Sequence, residues 1–386
     1  MHSSNSTAAS NYSRLRATFI RKTVAAALLL LAFASSVQSY AGEQWSTERA
    51  SQWYGDQPWL VGCNYLPSNA INQIEMWEEF DSAINDRELG WAQSLGFNTV
   101  RVFLHDACWK QDKEKFYKNI DAFLDLCEKH SIRPMIVLFD GVWDPDPQLG
   151  PQRRPRDGVH NSGWVQGPGR VILSDPEKQD QLEGYVTEVI TRYKDDKRVL
   201  AWDLFNEADN SNGGSYGPLE LKNKDAVAAR LVRRSFDWAR QVDPSQPLTV
   251  CVWQGPPWDE TEKLNEVHRA ALELSDVISF HNYDDAKTMQ SRIDQLKKIG
   301  RPLICTEFMA RGNGSTFEAI LPVLKKEKVG AYCWGLVDGK SQTKYPWSTW
   351  QTPIIGEPDP WHHDIFHSDG RPYLESEVRQ LKSLLQ

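Results

Sequence analysis

Two glutamates stand where folding by itself has no use for a carboxylate. Glu207 closes the run Val-Leu-Ala-Trp-Asp-Leu-Phe-Asn-Glu, and Glu307 closes Leu-Ile-Cys-Thr-Glu before Phe308. An unpaired carboxylate at the end of a buried strand is costly, so a chemical role is the economical reason for finding two of them. Two carboxyl groups held about 5–5.5 Å apart can break a glycosidic bond with retention of configuration. One attacks the anomeric carbon as a carboxylate; the other protonates the leaving oxygen and later activates water. The two roles need different acidities, low for the nucleophile and raised for the acid. Other polar or aromatic residues also close apolar runs: Asn64-Tyr65, Arg101 to His105, Asp140, Asn206, Trp253, His281-Asn282-Tyr283 and Trp334.

Groups this far apart in sequence need a scaffold that gathers strand ends. Short apolar runs recur at 59–65, 98–104, 134–140, 199–206, 248–253, 277–282, 303–308 and 330–336. Near-continuous apolar character, in place of alternation, indicates parallel strands buried on both faces. Between the runs lie helical patterns at 115–130, 177–193, 226–242 and 289–299, and a final one at 374–385. In the first of these, Phe116, Ile120, Phe123, Leu124 and Cys127 recur at steps of three and four. Eight alternations predict an α/β fold of the (β/α)8 TIM-barrel type, with its chemistry on the loops that follow the strands. The alternative, a doubly wound sheet, lacks support because no Gly-x-Gly-x-x-Gly turn follows any strand. Strands four and seven, which carry the two glutamates, lie on opposite sides of such a barrel and can aim side chains across its mouth.

At this point the residues resemble a known family. Asn206-Glu207 ending strand four, Glu307 ending strand seven, His281-x-Tyr283 after strand six and Trp334 in strand eight are similar to glycoside hydrolase family 5. More broadly they resemble the retaining clan A of barrel glycosidases, which includes cellulases and β-mannanases. Gly96-Phe97-Asn98-Thr99-Val100-Arg101 matches the family's second-strand pattern, and the resemblance runs from about Trp59 to Tyr373. It implies a retaining O-glycosyl hydrolase acting on a neutral β-linked glycan of the β-mannan or β-glucan type. It implies Glu207 as acid/base, Glu307 as nucleophile and Asn206 as the partner of the sugar 2-hydroxyl. Arg101 is implied to keep Glu307 ionised, Tyr283 to donate a hydrogen bond to it, His281 to line the site and Trp334 to floor the sugar. The chain departs from the family at strand three, where many members end in histidine and this one reads Phe139-Asp140-Gly141-Val142-Trp143. Asp140 is the expected replacement, with His105 sharing the space; Trp143 and Trp253 are further expected substrate contacts.

The first 41 residues read as a secretory leader. Arg14, Arg16, Arg21 and Lys22 precede the apolar run 24–34, and small residues lead to Ser39-Tyr40-Ala41. That run is too short to span a bilayer as a helix. Residues 42–386 then form a single catalytic domain, exported or periplasmic, with no membrane attachment after cleavage and expected to be monomeric. Losing four basic residues makes the formal charge of −8 still more negative. Such a surface disfavours nucleic acid and acidic polysaccharides. The six cysteines allow disulfides in an exported protein, but Cys63, Cys251, Cys305 and Cys333 lie in strand-like runs and read as small buried apolar groups. No cysteine or histidine has zinc spacing, and no metal or cofactor is expected, although His362-His363-Asp364 falls in a long loop. Trp109, Trp143, Trp164, Trp258, Trp347, Trp350 and Trp361 fall in predicted loops and suit sugar stacking, and the long loops at 144–175 and 345–369 are expected to wall a cleft or block one end of it. Transglycosylation with the same two glutamates, and a non-catalytic carbohydrate-binding barrel, are the alternative functions.

Overall fold

The apolar runs become eight parallel strands in the computed structural model, which describes residues 42–385. These are β1 (Val61–Asn64), β2 (Thr99–Phe103), β3 (Arg133–Asp140), β4 (Ala201–Asn206), β5 (Leu248–Thr249), β6 (Ile278–His281), β7 (Leu303–Phe308) and β8 (Gly330–Trp334). They pair in the order β5-β4-β3-β2-β1-β8-β7-β6. The remaining gap is closed by Val252, whose N–H donates to Ser279 O at 3.1 Å and whose carbonyl accepts from His281 N at 3.0 Å. The β5 ladder is shorter than the sequence suggests because the Val250 N–H bonds the Ser275 hydroxyl in place of a ladder carbonyl. The fold is therefore a (β/α)8 barrel.

Eight main helices surround it: α1 (Ser82–Leu95), α2 (Lys113–Lys129), α3 (Glu183–Tyr193), α4 (Lys224–Val242), α5 (Glu266–Leu274), α6 (Ala286–Lys297), α7 (Phe317–Glu327) and α8 (Glu375–Leu385). Their starts follow from capping chemistry. Asp81, Asp112, Asn265, Asp285 and Thr316 each accept a backbone N–H of the first turn of their helix. Helix α2 buries Phe116, Ile120, Phe123, Leu124 and Cys127, the stripe visible in the sequence. Most of the core lies between strands and helices, and a separate cluster that includes Trp45, Met135, Leu200, Ile304 and Tyr332 plugs the lower end of the barrel.

The compact barrel unit starts at Gln44. The expected leader, 1–41, lies outside the described residues. No described helix is long and apolar enough to cross a membrane. All six cysteines are buried and free, so the structure uses them as packing groups and forms no disulfide among them.

Candidate active site

Moving up the barrel interior, the filling changes from apolar to polar. Thr99 Oγ1 and Tyr332 Oη share a hydrogen bond of 2.8 Å, and one layer above them lies Arg101, fully buried. A buried guanidinium must be paired. Arg101 donates through Nε and Nη2 to Asp203 Oδ2 (3.0 and 2.8 Å), through Nη1 to Asn64 Oδ1 (2.8 Å) and Glu307 Oε1 (2.9 Å), and through Nη2 to Asn206 Oδ1 (2.7 Å). Burial opposes its charge, but Asp203 and Glu307 outweigh burial and push its pKa upward. One cation thereby fixes residues from β1, β4 and β7.

Above this layer the two glutamates face each other, with oxygens of Glu207 and Glu307 and a nitrogen of His281 all within 4.8 Å of one another. Their surroundings differ. Glu307 accepts from Arg101 on Oε1 and from Tyr283 Oη on Oε2 at 2.7 Å. Burial, together with the neighbouring Glu307 charge, holds the Tyr283 hydroxyl well above its ordinary pKa, so it remains a donor. Glu207 has only neutral partners: Asn210 Nδ2 donates to Oε2 at 2.7 Å, and His281 Nδ1 shares a hydrogen bond of 2.8 Å with Oε1. Burial raises both carboxyls. On Glu307, Arg101 and Tyr283 pull directly the other way, whereas Glu207, with Asp209 also repelling its charge, rises to about 7. His281 is pushed by burial down to about 4 and is neutral at pH 7.

Local backbone geometry aims these groups. Glu207 adopts φ = 39°, a left-handed conformation that bends the chain off β4 into the mouth. Gly141 accommodates the bend: a Cβ there would sit 2.2 Å from the Glu207 carbonyl oxygen. The Cys251 thiol lies beneath, accepting the Glu207 N–H at 3.4 Å.

A cavity of about 380 Å³ opens over the pair, and Asn206, Glu207, His281, Tyr283, Glu307 and Trp334 all line it. Trp143 and Trp253 line it as well, as expected from sequence; Trp253 is held by its N–H on Asp209 Oδ1 at 2.8 Å. Two expected contacts are corrected. His105 does not reach the cavity: Nδ1 accepts the Ala107 N–H at 3.1 Å as a helix cap, and Nε2 faces Gln166 O at 2.9 Å, so backbone occupies both nitrogens. Asp140 does not line the cavity either. It lies below Asn206, accepting Asn206 Nδ2 at 2.9 Å and the Trp164 indole N–H at 2.6 Å. It therefore orients Asn206 in place of touching a sugar.

Several residues at the site escaped the sequence reading. Asp203 carried a signal, a charge in the middle of a buried strand that has to find a partner, whereas Asn210 sits in a loop and carried none. His160, Trp347 and His363 reach the cavity from the long loops. Of the loop tryptophans, Trp164, Trp258 and Trp361 are buried packing groups. The His362-His363-Asp364 segment makes no metal cluster: His363 Nδ1 bonds Met309 O at 2.6 Å, and Asp364 accepts from Thr343 at 2.8 Å. Among the described residues, the one group with ligand atoms close enough to share an ion is Glu207, His281 and Glu307. Both Glu307 oxygens are already engaged by Arg101 and Tyr283, which suits a hydrogen-bonded carboxylate pair better than a metal centre.

Comparison with known proteins gives the family and the fold. The family description "Cellulase (glycosyl hydrolase family 5)" matches residues 88–352. A mannan endo-1,4-β-mannosidase A from Emericella nidulans is 22% identical over 173 residues, covering 44% of this chain and only 40% of that protein. A GH5_18 protein from Streptomyces cattleya, solved with Manβ1-4GlcNAc, superposes with a TM-score of 0.58 at 14% identity, covering 84% of this chain and 80% of its own. An exo-β-1,4-mannosidase from Opitutaceae bacterium strain TAV5 superposes with a TM-score of 0.58 at 18% identity, covering 90% of this chain and 62% of its own.

Proposed function

Since this chain belongs to the cellulase family, glycosyl hydrolase family 5, and is a glycosidase, we propose that it cleaves β-mannosidic bonds by double displacement, with Glu307 as nucleophile and Glu207 as acid/base. The observation that carries the assignment is the asymmetry between two carboxyls within 4.8 Å. Glu307 has a guanidinium and a phenol on its two oxygens, the environment of a group kept ionised. Glu207 has no direct cation and titrates at about 7, so near neutrality it holds the proton that a departing oxygen needs. An oxygen of each carboxyl within 4.8 Å of the other suits the short separation of a retaining pair, about 5–5.5 Å, better than the wider gap of an inverting one.

In the first step Glu307 attacks the anomeric carbon, the glycosidic bond breaks, and Glu207 gives its proton to the leaving oxygen. In the second, Glu207 takes a proton from water as that water displaces Glu307 and restores both groups. Asn206, locked by Arg101 on its oxygen and Asp140 on its amide, meets the sugar 2-hydroxyl, and Trp334 floors the ring. Mannose as the sugar is supported by the mannan-active relatives. Export is supported by the leader-like residues 1–41, with Gly42 as the first residue of the mature protein.

The test is sugar release from β-mannan, β-glucan, cellulose and xylan, alongside Glu307→Gln and Glu207→Gln. We expect release from β-mannan that Glu307→Gln abolishes, and Glu207→Gln to retain activity only on substrates with activated leaving groups. Binding of a glycan without turnover would overturn the catalytic assignment.

A further inference from the structure

The loops after β1, β3 and β8 are not independent walls. Gly158 N–H donates to Gln342 Oε1 at 2.9 Å, and Ile354 N–H returns to Gly158 O at 3.1 Å. His160 N–H donates to Thr349 Oγ1 at 2.9 Å, and His160 Nδ1 bonds Tyr345 O at 2.7 Å. The β1 loop joins the same seam. Asn72 Nδ2 donates to Gly163 O at 2.8 Å, Gln73 Nε2 to Val165 O at 2.7 Å, and Ser68 O accepts Lys340 N–H at 3.0 Å. The fit is tight: a Cβ on Gly158 would lie 1.9 Å from Ile354 O, and one on Gly339 2.5 Å from Ser68 backbone. The β8 loop thus crosses over β1 and β2 to reach the β3 loop, roofing that sector of the barrel mouth.

The space beneath the roof is small. On the far side of Trp334, between Asn64, Phe103, Asn161, Trp164 and Asp364, the cavity measures about 20 Å³. That holds about one water molecule and no sugar ring. On the side of the acid, the same β3 and β8 loops leave an open groove against the β4 loop. Asn210, which holds Glu207, also lines a groove of about 280 Å³ with Trp143, Gly213, Trp347 and Trp350. A leaving group departs past the acid, so this open groove takes the leaving group. The far end of the cleaved sugar, whose ring lies on Trp334, then faces the roof.

From this geometry we propose that the interlocked loops close the cleft directly behind the cleaved sugar, so that the enzyme removes single sugars from non-reducing chain ends. The inference rests on the proposed assignment of Glu207 and Glu307, which sets the direction of the chain. The roof stops a chain from threading through the site, and the open groove accepts leaving groups of any length.

The test uses the whole protein with β-1,4-linked manno-oligosaccharides labelled at the reducing end. The expected early products are free mannose and a labelled chain shorter by one unit. An aryl β-mannoside, which offers a single sugar, is expected to be hydrolysed. Capping the terminal 4-hydroxyl with a bulky group is expected to slow cleavage on the order of 100-fold, since the cap must displace a packed wall. Early internal products, single-sugar loss from the labelled end, or equal rates on capped and uncapped chains would each overturn the inference. Cleavage of gluco-oligosaccharides instead removes only the mannose assignment, and the same end analysis on those products decides the roof's role. Turnover of neither series overturns both readings together.

Discussion

Glu207 is the residue whose environment makes the sharpest demand on the proposed chemistry, and Glu207→Gln tests it in two independent ways. Burial lifts the Glu207 carboxyl from 4.5 to about 7. The native state therefore holds this proton more tightly than the unfolded chain does. Below about pH 4.5 both states are protonated and the group has no effect on stability. Between 4.5 and 7 the unfolded chain ionises first, so stability falls as pH rises, and above 7 the loss is complete. Its full size is about 3 kcal/mol, from 1.36 kcal/mol per pH unit. Glutamine keeps the shape and can still accept from Asn210, but it has no proton to lose. We expect its melting temperature to match wild type at pH 4 and to exceed it by several degrees at pH 8. Asp140 and Asp364, also raised to about 7 by burial, titrate in the same window. Asp364 acts equally in both proteins, and because the Glu207 charge itself helps to raise Asp140 and Glu307, the difference between the two melting curves reads Glu207 together with that coupling. In activity, kcat/KM of wild type should fall above about pH 7 as Glu207 loses its proton. The residual activity of Glu207→Gln on an activated aryl glycoside should lack that limb. A stability difference independent of pH, or a basic limb unchanged by the substitution, would refute the assignment of Glu207 as the protonated acid.

Three other substitutions probe the supports. Tyr283→Phe removes the donor on Glu307 Oε2, a bond to a charged group worth about 1.5–3 kcal/mol. We expect kcat/KM to drop about ten- to a hundredfold, and its acidic limb to move to higher pH because Glu307 becomes harder to ionise. Arg101→Met leaves Asp203 and Glu307 buried without their cation and should cost about 3–5 kcal/mol, read as a lower urea midpoint, besides abolishing activity. Gly141→Ala puts a methyl 2.2 Å from the Glu207 carbonyl oxygen, so the catalytic backbone must shift. Steady-state kinetics should show at least about a tenfold loss in kcat while the circular dichroism spectrum stays native, the strain being about 1–3 kcal/mol.

The barrel was legible in the sequence because parallel strands buried on both faces leave uninterrupted apolar runs, and amphipathic helices leave a stripe such as Phe116 to Cys127. The strand ends followed from the same pattern, which is why Glu207, Glu307, Asn206, His281, Tyr283 and Trp334 could be placed together before any coordinates. His105 and Asp140 misled for one reason. A polar residue at a strand end faces either the cavity or a neighbouring backbone group, and composition is the same in both cases. His105 turned to Ala107 and Gln166, and Asp140 turned to Asn206 and Trp164.

What the sequence determined by itself was which polar and aromatic residues close the strands and which layer of the fold presents them, because strand periodicity is a local property of the chain. Tertiary structure alone decided everything that depends on distances between segments remote in sequence. It set the 4.8 Å grouping of the two carboxyls with His281, and it placed Arg101 on Glu307 rather than on Asp203 alone. It raised Glu207 by burying it away from any direct cation. It also joined Gly158 to Ile354 and Ser68 to Lys340, turning three loops into one roof. Acidity and cleft shape come from desolvation and long-range packing, and these exist only once the chain has closed on itself.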